Sequence, residues 1–170
     1  MKFYLVDRIE RIEPGKRIVA IKNLSLAEEY LADHFPVFPV LPGVMMLEAL
    51  VQTAAWLLRV DQNWANSLIV LSAARNMKYA SFVAPGHTLR TDLELLSVEG
   101  NLAKFKGAGY LETGDLAVQG RLEIQSLNVA DVHPAAARTG ADARILADLK
   151  RQWSLVGGPT ALEAARAQEQ

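Results

Sequence analysis

Apolar residues follow three different patterns along the chain. From Ile9 to Asn23 they alternate with charged ones on either side of Glu13-Pro14-Gly15-Lys16. That predicts two short strands around a turn, because proline presets the first turn angle and glycine accepts the positive φ that comes next. From Val44 to about Arg59, a run rich in Met, Leu, Ala and Trp leaves no polar stripe, so a helix here must be enclosed by other structure. Beyond the polar break Asp61-Gln62-Asn63 the pattern shortens to strand length: Ser67 to Ala74, Asn76 to Val83, Leu89 to Val98, Leu102 to Leu111 and Leu116 to Leu127. Turn signals at Ala84-Pro85-Gly86-His87, Glu99-Gly100-Asn101 and Thr113-Gly114-Asp115 separate most of them. Consecutive strands without helices between them imply an antiparallel meander, and one enclosed helix against it implies an α+β fold.

Two segments fall outside this scheme. Ser25 with Glu28 three residues on is a capping-box pattern for a short helix with Leu26, Tyr30 and Leu31 on one face, ending before Pro36. Pro36, Pro39 and Pro42 then fix φ and predict a stiff, extended arm leading into the enclosed helix. Asn128 to Gln170 is richer in Ala, Arg, Asp and Gln. There Asp142 to Trp153 predicts an amphipathic helix with Ile145, Leu146, Leu149 and Trp153 on one side, broken by Gly157-Gly158-Pro159. The expected division is one domain over residues 1–127 and a partly helical extension over 128–170. Met45, Met46, Trp56, Met77 and Phe82 are expected in the core.

Composition narrows the partners more than the fold. With 51% hydrophobic and 22% charged residues in a chain of 170, the protein has enough apolar material for one domain with a real core. A formal net charge of -1 supplies no global field for nucleic acid or anionic lipid, and no such partner is expected. The absence of cysteine excludes disulfides, thiolate nucleophiles and cysteine-based metal sites. Charged residues Asp7, Arg8, Glu10, Arg11 and Glu13 stand where a secretory signal would place its apolar core, so a cytoplasmic location is expected. The longest apolar window, Val44 to Leu58, is interrupted by Glu48 and Gln52 and is shorter than the ~20 residues of a spanning helix, so no membrane span is expected.

One loop-helix unit carries groups suited to chemistry. His34 lies in the proline-rich arm, and an imidazole is a side chain suited to act as a general base. Gly43 opens the helix, where unpaired N–H groups and the positive end of the helix dipole receive an oxygen that gains negative charge. Glu48 follows on the helix, and enclosure there would favour the neutral carboxylic acid, the form that donates a proton. Gln52, one turn later, is placed to hold one oxygen of that carboxyl group. Such a set suits removal of a proton beside a carbonyl with loss of a protonated hydroxyl, which is β-elimination of water or its reverse. The residues alone leave a plainer reading open, in which His34 bonds a backbone group and Glu48 pairs with an arginine.

His34-Phe35-Pro36, Pro42-Gly43-Val44, Glu48-Ala49 and Gln52, in this order, resemble the 3-hydroxyacyl-[acyl carrier protein] dehydratases of the FabZ/FabA type. LVDRIERIEPGKRIVAIKNLS upstream and KYASFVAPGHTLRTDLELL downstream extend the resemblance over about residues 3 to 127. It implies a hotdog fold, an antiparallel sheet wrapped around a central helix. It also implies a homodimer as the minimum assembly, with a trimer of dimers as the larger form, and sites shared between subunits. His34 of one subunit would take the α-proton, and Glu48 of the other would protonate the departing hydroxyl or hold the water that does. The Gly43 N–H would polarise the thioester carbonyl beside Val44, and Gln52 would orient Glu48. The implied partner is acyl carrier protein bearing a 3-hydroxyacyl chain, and no metal or organic cofactor is implied. Asp33 and Val37 stand where the family usually has glycine, and Ser81-Phe82-Val83 and Pro85-Gly86-His87 replace its usual Arg-Pro-Val and Pro-Gly-Asp. Two other readings are a hotdog acyl thioesterase, with Glu48 activating water, and a non-catalytic hotdog protein that binds acyl chains or their carrier.

Overall fold

In a computed structural model that describes residues 3–168, the chain starts with the expected hairpin. Strands β1 (Arg8–Glu13) and β2 (Arg17–Asn23) pair antiparallel. The turn between them closes through the Lys16 N–H and the Glu13 carbonyl at 2.9 Å, with Gly15 at φ +70°. After α1 (Gly43–Asp61) come β3 (Leu68–Tyr79), β4 (Thr88–Glu99), β5 (Leu102–Tyr110) and β6 (Leu116–Leu127). All pairings are antiparallel in one six-stranded sheet of order β1-β2-β4-β5-β6-β3. The two strands expected around Arg75 are one. Asn76 takes φ +53° within a register break between Arg75 and Lys78, a conformation asparagine tolerates, and β3 continues along β6 past this bulge. Gly120 on β6 makes room for Met77 here, since a Cβ at 120 would lie 2.1 Å from the Met77 sulfur.

The sheet wraps α1, which contacts β2, β3, β4, β5 and β6. Leu50, Leu57 and Leu58 of the helix are fully buried with Ile12, Ile18, Leu93, Phe105, Leu122 and Ile124 of the strands. Each such side chain contributes about 1.5–3 kcal/mol on burial. A polar pair spans this core: the Thr53 hydroxyl lies 2.8 Å from that of Thr91, while Thr53 also donates to the Ala49 carbonyl at 2.8 Å. By length and composition α1 could cross a membrane, and 56% of its most apolar window is buried inside this fold, where it serves as the core helix.

The capping box expected at Ser25 and Glu28 does not form. Glu28 reaches instead to the buried Lys22 ammonium at 2.6 Å, and only a 3-10 turn, Glu29–Ala32, follows. Past β6 come the short α2 (Val129–Val132), then α3 (Ala141–Leu155) and α4 (Gly158–Gln168). The Asp142 carboxylate ties α3 to the domain by accepting from the Ser67 hydroxyl and from the N–H groups of Val129 (2.7 Å) and Ala130 (3.2 Å). Trp153 of α3 packs with Trp56 and Trp64, at ring separations of 5.8 and 6.0 Å, and joins the same core as the strands. Gly157 at φ +75° turns the chain into α4, which lies along β1, and the Val156 carbonyl accepts the Ile9 N–H at 2.8 Å. One sheet edge, β1, is thus covered, while among the described residues β3 has β6 as its only partner strand.

Candidate active site

The arm between the 3-10 turn and α1 is folded rather than extended as the prolines suggested. Phe35 to Phe38 forms a tight turn closed by the Phe38 N–H on the Phe35 carbonyl at 2.9 Å. Proline is as well suited to the second position of such a turn, which Pro36 occupies, as to extended chain. Downstream, the Leu41 N–H donates to the Val83 carbonyl at 2.8 Å and fixes the arm to the loop after β3. Asp33 lies at φ -102° and Val37 has no positive φ, so neither position needs glycine here. Asp33 is exposed, and Val37, 99% exposed, forms the tip of the turn.

Beyond this turn, the Val40 carbonyl holds the His34 ring. Its Nδ1 lies 3.2 Å from the Val40 carbonyl, which can only accept, so Nδ1 carries the hydrogen, and in the neutral ring Nε2 is the nitrogen with the lone pair. The plainer reading of the sequence, a backbone bond for His34, is therefore met by one nitrogen and leaves the other available as a base. The ring lines a cavity of about 160 Å³ together with Gly43, Met46, Tyr79 and Phe82.

Gly43 is the first residue of α1, and Pro42 before it offers no side-chain cap. Carbonyl bonding within the helix begins with the N–H groups of Met45 and Met46 on the Pro42 carbonyl, so the Gly43 N–H is one of the orphan donors of the helix start. The Tyr79 ring lies against Gly43, and a Cβ there would come within 3.2 Å of it. Glycine thus lets the Tyr79 ring pack on the helix start, and both residues line the His34 cavity.

Glu48 is half-buried on a cavity wall rather than enclosed, and it forms no ion pair with an arginine. The Gln52 amide donates to its Oε1 at 2.9 Å. Gln52 is itself held by the N-terminal segment, donating to the Phe3 carbonyl at 3.0 Å and accepting the Leu5 N–H at 2.9 Å. The glutamate carboxyl therefore has one oxygen fixed and one without a partner among the described residues.

Within one chain the structure does not bring His34 and Glu48 together. Glu48 lines a separate cavity of about 500 Å³, which shares no residue with the one beside His34. At 100° per residue, Glu48 stands about 200° around α1 from Met46, which lines the His34 cavity, so the two cavities lie on opposite faces of the helix. Val44 is 70% exposed on the first turn and lines neither. Sequence reasoning missed Tyr79, which ends a strand with no sign of its reach to Gly43. It also placed Phe82 in the core, whereas Phe82 is exposed and meets Phe38 edge-on at 5.9 Å.

Residues 1–120 match the FabA-like domain family. Among curated proteins, the 3-hydroxyacyl-[acyl-carrier-protein] dehydratase FabZ of Geobacillus thermodenitrificans is 40% identical over 120 residues, 71% of this chain and 82% of that protein. FabZ of Acetivibrio thermocellus is 36% identical over 127 residues, 74% of this chain and 86% of its own length. Among solved structures, the dehydratase heterocomplex ApeI:P from Xenorhabdus doucetiae superposes with a TM-score of 0.63 at 19% identity, over 78% of this chain and 89% of that one. A Thermus thermophilus member of the thioesterase superfamily gives 0.59 at 21% identity, over 85% and 98%. The wrapped helix is thus the hotdog fold, and by the extent of these matches the chain belongs to the FabA-like family.

Proposed function

We propose that the protein is a 3-hydroxyacyl-[acyl carrier protein] dehydratase that converts (3R)-hydroxyacyl thioesters to trans-2-enoyl thioesters in fatty-acid or related lipid biosynthesis. The observation that carries this reading is His34, held by its Nδ1 at 3.2 Å from the Val40 carbonyl, lining one cavity with Gly43 at the start of α1. In the reaction His34 Nε2 takes the proton from C2, and the electron pair left there forms the C2–C3 double bond as the C3–O bond breaks. Glu48, or a water it holds, gives the leaving hydroxyl its proton, so that water departs. Negative charge gathering on the thioester oxygen meets the Gly43 N–H and the positive end of α1. Gln52 keeps the Glu48 carboxyl in one orientation.

Because His34 and Glu48 face away from each other in one chain, the working unit is a homodimer in which each subunit supplies half of two sites. Two features favour that pairing. Among the described residues no strand pairs with the outer edge of the twelve-residue β3, and Phe35, Val37, Phe38, Val44, Tyr79 and Phe82 are exposed. An open edge and exposed apolar side chains suit contact with a second copy. Acyl carrier protein as substrate carrier and a cytoplasmic location belong to the same reading. So does the division into a catalytic domain over residues 1–127 and an extension over 128–170.

The test is turnover of a 3-hydroxyacyl thioester, followed by absorbance of the enoyl product, beside His34→Ala and Glu48→Gln. Product formation that falls by about 10²–10⁴ in either variant is expected for loss of a general acid or base. Thiol release without enoyl product would favour the thioesterase reading instead, which leaves the tautomer of His34 without a role.

A further inference from the structure

The cavity beside Glu48 contains a cation that the dehydration reaction does not use. Arg59 is eleven residues beyond Glu48 on α1, which places it about 16 Å further along the axis and about 20° around it. Both line the same cavity, floored between them by Val51, Ala55 and Trp56. Among the described residues no carboxylate pairs with the Arg59 guanidinium, and its Nε is buried without a hydrogen-bond partner. The cation lies over the Trp56 ring, 5.0 Å from its centre. Burial lowers its pKa to about 10, still charged at neutral pH. Gln152 of α3 lines the same cavity, with no partner for its side-chain amide among the described residues. The remaining charged wall residue, Asp7, is engaged elsewhere, accepting the Asn23 N–H at 2.6 Å and lying 3.5 Å from the Lys22 ammonium.

A half-buried cation with no counter-charge among the described residues carries a desolvation cost, and a methionine of similar length would fill this place at less cost. What would satisfy it is an acceptor delivered from the cavity. A carboxylate matches the planar fork of a guanidinium with two parallel hydrogen bonds. Resting on the dehydratase reading above, we propose that this cavity takes the acyl chain and that Arg59 receives a carboxylate at its far end. The preferred substrates are then 3-hydroxyacyl thioesters with an acidic terminus. With about 1.2 Å advance per bond, as in any extended backbone, the distance from Glu48 to Arg59 corresponds to roughly thirteen bonds. The acidic end thus selects chain length as well as chemistry. Leu149, Gln152, Leu155 and Val156 make one wall of the cavity, so the C-terminal extension takes part in this selection.

The test uses the full-length protein with two saturated acyl-pantetheine amides of equal length, one ending in methyl and one in carboxylate, in a length series followed by calorimetry. The corresponding 3-hydroxyacyl thioesters are assayed for turnover alongside. The expected result is binding at least about tenfold tighter for the carboxylate-ended amide at the length that reaches Arg59. That ratio should collapse in Arg59→Met and partly persist in Arg59→Lys. Equal binding of the two amides at every length, or an unchanged ratio in Arg59→Met with the fold intact by circular dichroism, overturns the proposal. Discrimination by binding without turnover of either thioester would retain the acid subsite and overturn the dehydratase reading. Turnover without discrimination would do the reverse.

Discussion

Two inactive proteins should make an active one when their chains are mixed. His34→Ala removes the base and Glu48→Gln removes the acid, and each homodimer is expected to lose about 10²–10⁴ in kcat. Within one chain these residues lie on opposite faces of α1, across a cylinder about 10 Å in diameter with its side chains, far beyond the ~3 Å reach of a shared substrate atom. On the proposed function a site therefore combines His34 of one subunit with Glu48 of the other. In a dimer of one His34→Ala chain and one Glu48→Gln chain, one site loses both groups and the other keeps both. Such a heterodimer, isolated with two affinity tags after co-expression, should show about half of wild-type kcat at unchanged KM. Random mixing without selection gives about half heterodimers and hence about a quarter of the activity. If the purified heterodimer is as inactive as its parents, each site is built within one chain and the reasoning from helix phase is wrong.

Other expectations are simpler. Gln52→Ala frees the Glu48 carboxyl and should lower kcat about tenfold through lost orientation, with little change in KM; a change in KM alone would deny Gln52 this positioning role. Gly107→Ala would bring a Cβ within 2.3 Å of Leu93 Cδ1, with Leu50 behind it. Overpacking of this kind costs about 1–3 kcal/mol, several degrees in Tm by thermal unfolding, and an unchanged Tm would show that Leu93 can move aside. Glu112 is held down to about 2 by its own backbone N–H, by that of Thr88 and by the His87 ring. Because the folded-state value lies below that of the unfolded chain, its stabilising effect is complete above the ordinary carboxylate range. It is lost as pH falls from there through about 2. A carboxyl chemical-shift titration of Glu112 with a midpoint near 4 would contradict this.

The pattern of apolar positions already contained the hairpin, the enclosed helix and the β4-β5-β6 part of the meander, because each is set by local periodicity and by turn residues such as Pro14-Gly15, but β3 pairs with β6 at the far edge rather than with β4, which no local pattern records. Where it misled, a distant contact decided the outcome. Glu28 abandons its capping position because the buried Lys22 ammonium offers a stronger partner, and Pro36 sits in a turn because Leu41 is pinned to Val83. The proposed site was legible in residue type at His34, Gly43, Glu48 and Gln52, while its division between two subunits came only through the family resemblance and not from spacing. The relation of His34 to Glu48 depends on which face of α1 the arm returns to, and fourteen positions of sequence do not fix this. Tyr79 and Arg59 were out of reach for the same reason. Tyr79 matters through its contact with Gly43, and Arg59 through the carboxylate it lacks, neither of which composition records.

The α4 helix along β1 also limits how far the sheet can propagate. A sheet that grows by edge pairing needs two free edges, and here one is closed by the chain's own C-terminal segment and by the Ile9–Val156 hydrogen bond. Joining two copies through β3 leaves a β1 covered by α4 at both outer ends, so the ladder stops at two chains instead of extending into a fibre.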